Sequence, residues 1–205
     1  VTNPPIDSLR ESSVMSLETC FGPELNIFEE TEEHARRIVT TSPVLSHKKL
    51  ITLRKNKLFK IKEFNLAYNH SMSLKKAIVR LGDEVEKSVK DGYSIIQLNE
   101  DLPNEGELSI NALLATGHIH QKLVKSGLRS DANILVSSAS ARDTHSIACL
   151  LSFGATAVYP WLAFQIILDL TTRGEISGSP TGNCAKYRKG INKGLLKIIS
   201  KIGIS

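Results

Sequence analysis

The sequence predicts an α/β fold: repeated βα units forming a mainly parallel sheet flanked by helices, with a C-terminal helix belonging to the next domain. Three observations predict it. Helical apolar spacing gives way, three times in succession, to a glycine and then a short strand-like run. Each of those glycines (Gly92, Gly127 and Gly154) stands where a helix C′ residue belongs. Helix and strand in alternation imply parallel strands joined by right-handed crossovers. Aromatic residues are only 5% of the 205, so Ile, Leu, Val and Ala must carry the core.

The first forty residues read as an extended, proline-bearing lead-in followed by a short helix. Asn3-Pro4-Pro5 is non-helical at its centre, because proline lacks an N–H and biases its predecessor to extended geometry. Thr31 is an N-cap candidate, with Glu32 and Glu33 in a first turn that favours acids, and Pro43 closes that helix. Residues 44–72 admit more than one reading; Leu50-Ile51-Thr52-Leu53 and Leu58-Phe59-Lys60-Ile61 are candidates for short strands. From Ser73 the pattern is regular. Leu74, Ala77, Ile78, Leu81, Val85 and Val89 recur at helical spacing, and Tyr93-Ser94-Ile95-Ile96-Gln97-Leu98 follows as a strand. A second helix spans residues 109–126, before a strand Asn133-Ile134-Leu135-Val136. A third spans residues 143–153, before Thr156-Ala157-Val158-Tyr159, and Pro160 introduces a helix from Trp161 to about Thr172. Residues 174–183, rich in Gly, Ser, Pro and Thr, read as a linker. The last helix has an apolar stripe of Ile191, Leu195, Ile198, Ile199 and Ile202, beside a basic one of Lys186, Lys189, Lys193, Lys197 and Lys201. The boundaries that follow are a lead-in at 1–42, an α/β domain at 43–174, and a linker with the first helix of another domain at 175–205. The absence of an initiator Met and the start within a proline-rich phrase predict a piece of something longer.

Sites in parallel sheets gather at the carboxyl ends of strands. Those ends are Asn99-Glu100-Asp101, residues 137–143 and Tyr159-Pro160-Trp161, which makes Asn99, Glu100, Asp101, Arg142, Asp143 and His145 the candidate tunnel or domain-interface edge. An Arg142–Asp143–His145 cluster can bind an anion, but more often such a group caps a helix and braces a loop. His118 and His120, two residues apart on a helix, diverge by about 200° and read as structural or hydrogen-bonding groups rather than paired metal ligands.

Several chemistries find no support. Cys20, Cys149 and Cys184 are far apart and lack a paired metal-ligand spacing, which fits a reducing compartment and neither a disulfide framework nor a zinc or iron–sulfur site. No apolar run reaches the roughly 20 residues needed to span a bilayer, and no signal peptide is visible, so no membrane partner is expected. Residues 1–42 hold eight acids against three bases, leaving the remainder at +10 within a net charge of +5. The basic segments 48–62 and 186–201 are not interleaved with aromatics as single-strand binders require, so no nucleic-acid partner is expected. Gly174-Glu175-Ile176-Ser177-Gly178 follows no strand and lacks a trailing Lys-Ser, so it is no phosphate loop. Chemistry alone names no catalytic residue.

Several phrases resemble one family, the glutamate synthase large subunits. Val1-Thr2-Asn3-Pro4-Pro5-Ile6-Asp7, with Leu9-Arg10-Glu11 and Val14-Met15-Ser16-Leu17, is similar to the segment behind the family's glutaminase domain. Ala112-Leu113-Leu114-Ala115-Thr116-Gly117, His120, Gly127-Leu128-Arg129, Ala141-Arg142, His145, Gly154-Ala155, Ala157-Val158, Pro160 and Leu162-Ala163 resemble its central domain. The run from Tyr187 to Lys197, and Ser200-Lys201-Ile202-Gly203-Ile204-Ser205, resemble the start of its flavin domain. The resemblance implies a connector with no cofactor of its own. It would position a glutaminase site and an FMN site, and help enclose ammonia transfer from L-glutamine to 2-oxoglutarate. FMN and an iron–sulfur cluster would belong to the full-length enzyme. Its partners would be the flanking glutaminase and FMN domains of the same chain, with a small NADPH-oxidising subunit or ferredoxin as electron donor. Its place would be the cytoplasm, or the plastid stroma in a phototrophic eukaryote. Two departures stand out: Asn99-Glu100-Asp101 replaces an expected Ser-Asp-Arg, and Ser137, Ser138 and Ser140 replace an acid-bearing loop. The rival readings are a free-standing anion- or nucleotide-binding module using Arg142, Asp143, His145 and the Lys193–Lys197–Lys201 stripe, and an interaction module whose basic face docks on an acidic partner.

Overall fold

Four parallel strands carry the fold in the computed structural model, which describes residues 11–202. The extended Asn3-Pro4-Pro5 phrase lies outside them. In chain order the elements are α1 (Glu11–Val14), β1 (Thr19–Phe21), β2 (Ile38–Thr40), α2 (His47–Arg54), β3 (Lys60–Asn65), β4 (Ala67–Asn69), α3 (Leu74–Lys90), β5 (Tyr93–Asn99), β6 (Glu107–Ser109), α4 (Ala112–Lys125), β7 (Asn133–Ser137), α5 (Thr144–Ser152), β8 (Ala157–Tyr159), α6 (Trp161–Thr172) and α7 (Pro180–Ile202). The main sheet runs β3-β5-β7-β8, parallel throughout, so each βα unit adds its strand beside the previous one.

Both faces of this sheet are covered, which is why its strands read as nearly continuous apolar runs. Ile96, Leu98, Ile134, Val136 and Val158 join the cluster built with α3, α4, α5 and α7. Ile95, Leu135 and Ala157, on the opposite face, pack with Phe21 of β1, Leu45, and Leu50 and Leu53 of α2. Burying one such Ile or Leu fully is worth about 1.5–3 kcal/mol. The β8 edge is covered by residues 43–45: the Val158 N–H donates to the Pro43 carbonyl (2.8 Å), and the Leu45 N–H to the Val158 carbonyl (2.9 Å). The β3 edge instead carries exposed Lys60 and Lys62, charges that discourage pairing with another chain.

Three sequence expectations change here, and one feature is new. Leu50-Ile51-Thr52-Leu53 is helical, within α2, because the Ser46 hydroxyl accepts from the Lys49 N–H (3.4 Å) and Leu50 and Leu53 then share the buried face. The strand after it starts at Lys60 rather than Leu58, since the Asn56 side chain accepts from the N–H groups of Leu58 (2.9 Å) and Phe59 (2.8 Å) and holds both in a turn. The helix after Thr31 is a 3-10 turn, Glu32–Ala35, and Pro43 does not end it: pairing of β2 with β1 claims residues 38–40. An antiparallel pair, β4 with β6, was not legible, each strand being three residues long.

The final helix begins at Pro180, inside the expected linker, where a proline at the first helical position loses no hydrogen bond. Its Ile191 and Leu195 are buried in the helix-side core, and Tyr187 meets Phe164 of α6 edge-on at 5.6 Å. Ser42 donates to the Asn192 side chain at 2.7 Å. Lys193 and Lys201 remain exposed.

Candidate functional site

Successive side chains along an extended chain point to opposite faces, so Asn99, the last residue of β5, and the two residues after it separate. Asn99 turns to the α2 face. Its amide donates to Glu63 (2.9 Å) and accepts from Gln97 (2.6 Å), while Arg54 bridges Glu63 (2.7 Å) and Gln97 (3.1 Å). Asp101 is exposed. Glu100 turns inward and is only 8% exposed.

Glu100 is the centre of the edge. Its carboxylate accepts from the Ser138 hydroxyl (2.6 Å), the N–H groups of Ala139 and Ser140 (2.9 Å each) and the Ser140 hydroxyl (2.8 Å). The Ala112 N–H, at the first turn of α4, adds a longer bond of 3.4 Å. The loop after β7 and the start of α4 thus form a nest of donors that the chain fills with its own anion. The Trp161 indole N–H donates to the Glu100 carbonyl (3.0 Å), joining the end of β8 to that of β5. Three strand ends are thereby fastened into one rim.

The remaining candidates lie at its outer side. Asp143 caps α5, accepting from the Ser146 N–H at 2.8 Å, and that bond holds its carboxyl below the usual range. Arg142 is exposed, and its carbonyl accepts from the Tyr187 hydroxyl (2.9 Å), a phenol that burial pushes up to about 12. His145 is exposed, with Nε2 3.6 Å from Cys149 Sγ one turn on. In the lysine stripe, Lys197 pairs with Glu11 of α1. The side chains of Arg54, Glu63 and Gln97 escaped the sequence reading. Their signal was Gln97 itself, an amide within an apolar strand that burial obliges to find partners.

His118 and His120 go to different neighbours. His118 lies over Gly82 of α3, where a Cβ would come within 2.7 Å of its Nε2. His120 Nδ1 accepts from Arg129 Nε (3.0 Å), and Arg129 also donates to the carbonyls of Ala132 (2.6 Å) and Gly154 (2.9 Å). Burial first, then nearby Lys122, lowers the His118 pKa; burial first, then Arg129, lowers that of His120. The fold therefore prefers both rings neutral, and the unfolded chain takes up protons first as pH falls. Stability is expected to be level above about pH 6.5 and to decline as pH drops through that value toward the lowered folded ones. Urea midpoints across this window check it, and the double variant His118→Gln, His120→Gln should flatten the decline; an unaltered slope would refute the assignment.

Cys20 lies in β1, Cys149 in α5 and Cys184 in α7, and all three are free thiols. Among the described residues no three His, Cys, Asp or Glu side chains gather as a metal-ligand set, so the described residues do not fit an iron–sulfur cluster. Among the same residues no helix is long and apolar enough to cross a membrane.

Comparison with known proteins gives a consistent match. Residues 1–205 match the family model described as the glutamate synthase central domain. The chain is 34% identical over 205 residues to the glutamate synthase [NADPH] large chain of Bacillus subtilis, and 37% identical over 209 residues to that of Azospirillum brasilense. It is 35% identical over 221 residues to the ferredoxin-dependent glutamate synthase 2, chloroplastic, of Arabidopsis thaliana. In each case all of this chain is covered but only 14% of the relative's length. Among solved structures, a mutant flavocytochrome b2 with benzoylformate aligns with a TM-score of 0.50 and 15% identity, over 80% of this chain and 36% of that one, a likeness of fold alone.

Proposed function

The chain belongs to the glutamate synthase central-domain family, and on that premise we propose that it is a spacer between two catalytic neighbours of one polypeptide. Residues 1–42 would follow a glutaminase domain, 43–174 supply the sheet of the spacer, and 175–205, whose Ile191 and Leu195 pack into the spacer's core, lead into an FMN-binding synthase domain. The neighbours would make L-glutamate from L-glutamine and 2-oxoglutarate, with FMN and an iron–sulfur cluster held outside these residues. Electrons would come from a small NADPH-oxidising subunit or from ferredoxin, in the cytoplasm or a plastid stroma.

The observation that carries this reading is the rim around Glu100. Its carboxylate is committed to four close donors and its carbonyl to Trp161, so the rim is a stiff surface at the end of the sheet where parallel folds present their sites. A stiff rim suits a part that must hold two centres at fixed separation while ammonia passes between them. Ammonia that escapes to water is protonated and loses its nucleophilic lone pair, so enclosure and register are the contributions such a domain makes.

The test uses the full-length polypeptide with Asp101→Ala, Arg142→Ala and His145→Ala combined, since all three side chains are exposed on the rim. Glutamine hydrolysis is expected to continue while glutamate formed per glutamine consumed falls, and free ammonia appears. A ratio that stays at the unmodified value would refute the proposal.

A further inference from the structure

At the end of the molecule opposite the rim, a short acidic loop presents two large apolar side chains to water. Ile27 is 82% exposed and Phe28 89%. They occupy the corners of a β-turn closed by the Glu29 N–H donating to the Asn26 carbonyl (3.1 Å), positions that Gly, Pro, Asn and Asp ordinarily fill. Nothing about the turn itself needs them there.

The loop is held in shape before it meets anything. The Phe28 N–H donates to Asn26 Oδ1 (3.1 Å), Asn26 Nδ2 donates to Glu29 (2.9 Å), and His34 Nε2 lies 3.2 Å from the Asn26 carbonyl. Its roots are tied to the amino end of β7: the Gly22 N–H donates to the Asn133 side chain (2.7 Å), and the Glu24 N–H to the Ser130 carbonyl (2.7 Å). Arg37 donates to the Gly22 carbonyl (2.8 Å). An apolar pair on a preorganised turn forfeits little entropy on contact, which is the property of a hot-spot anchor. Glu24, Glu29, Glu30, Glu32 and Glu33 surround it with no base in residues 24–33. Among the described residues Glu33 alone of these forms an ion pair, with Arg36 at 3.5 Å.

We infer that the Ile27–Phe28 turn is a docking knob that seats in an apolar pocket with a basic rim on a neighbouring domain of the same polypeptide. Charge complementarity sets the rim, since five carboxylates repel an acidic surface and favour Lys and Arg. The same carboxylates oppose the meeting of two such tips from separate copies. The source follows from the relatives, in which a stretch like this one makes up 14% of a continuous chain. With the rim at the carboxyl ends of the strands and the knob at the amino ends, the domain would touch its neighbours at both ends of its sheet. The inference rests on the spacer reading for the existence of a neighbour and not for ammonia transfer.

A photoreactive benzoyl-phenylalanine in place of Phe28 in the full-length polypeptide tests it, because so exposed a position tolerates the change without unfolding. Irradiation and peptide mapping are expected to find the cross-link on a peptide outside residues 1–205 of the same chain, with the product migrating as a single chain. The double variant Glu30→Lys, Glu32→Lys should lower its yield several-fold at low salt. A cross-link to a second copy or to a separate protein, or a yield no higher than from the same group at exposed Lys57, overturns the inference. Failure here with the glutamate-per-glutamine ratio still sensitive to the rim variants removes the knob and leaves the spacer. The converse removes the transfer role and leaves the knob.

Discussion

Glu100→Ala is expected to destabilise the fold by about 3 kcal/mol, because it strips the acceptor from two hydroxyls and two backbone N–H groups in a buried nest. Each buried donor left without a partner costs on the order of 1–3 kcal/mol, and water entering the space recovers part of the sum. Glu100→Gln keeps the volume and one acceptor but turns an amide N–H2 toward donors, so about 1–2 kcal/mol is expected. The signature is asymmetry: Glu100→Leu combined with Ser140→Ala should cost less than Glu100→Ala alone, since acceptor and hydroxyl donor leave together, while Ser138 is kept because its hydroxyl also accepts from the Ala141 N–H (3.0 Å). Urea midpoints at unchanged slope measure these differences. A loss below about 1 kcal/mol for Glu100→Ala would show that the nest is not a structural element. Glu100 of the Asn99-Glu100-Asp101 run and Ser138 and Ser140 of the following loop, the two stretches the resemblance marks as departures, meet in this nest.

Gly154→Ala is expected to cost about 3 kcal/mol, against about 1 kcal/mol for Gly127→Ala. Both glycines end a helix with positive φ, Gly154 at 112° and Gly127 at 71°. A Cβ at residue 127 would meet nothing within 4 Å, so only the left-handed backbone term applies. At residue 154 it would lie 2.4 Å from His120 Nδ1 and 2.7 Å from Cγ, the ring that Arg129 holds in place while also bonding the Gly154 carbonyl. Neither ring nor guanidinium moves without loosening the joint between α4, α5 and β7. Thermal or urea unfolding of the two variants side by side decides it; equal losses would mean the His120–Arg129 clamp yields freely.

The candidate edge was partly legible. Strand ends in a parallel sheet converge, and helix-terminating glycines located them, so Glu100, residues 137–143 and Trp161 were gathered from pattern alone. Their roles were not. Asn99 and Glu100 are neighbours in sequence, yet one enters a network with Arg54 and Glu63 while the other fills the nest, because the pleat sends them to opposite faces. Leu50 to Leu53 misled for a related reason: three apolar residues and a Thr in a run of four show no period, and Ser46 decided for helix.

The sequence by itself determined the alternation of helix and strand, the parallel sheet it implies, and the glycines that close its helices, since these depend on local backbone preference and on the period of apolar side chains. Tertiary structure alone decided that Glu100 is buried against Ser138 and Ser140, that Gly154 carries a clamp where Gly127 carries none, and that Ile27 and Phe28 are left uncovered. These outcomes depend on which residues, distant in the chain, come within a few ångströms of one another. Local preference is short-ranged and holds no record of such encounters.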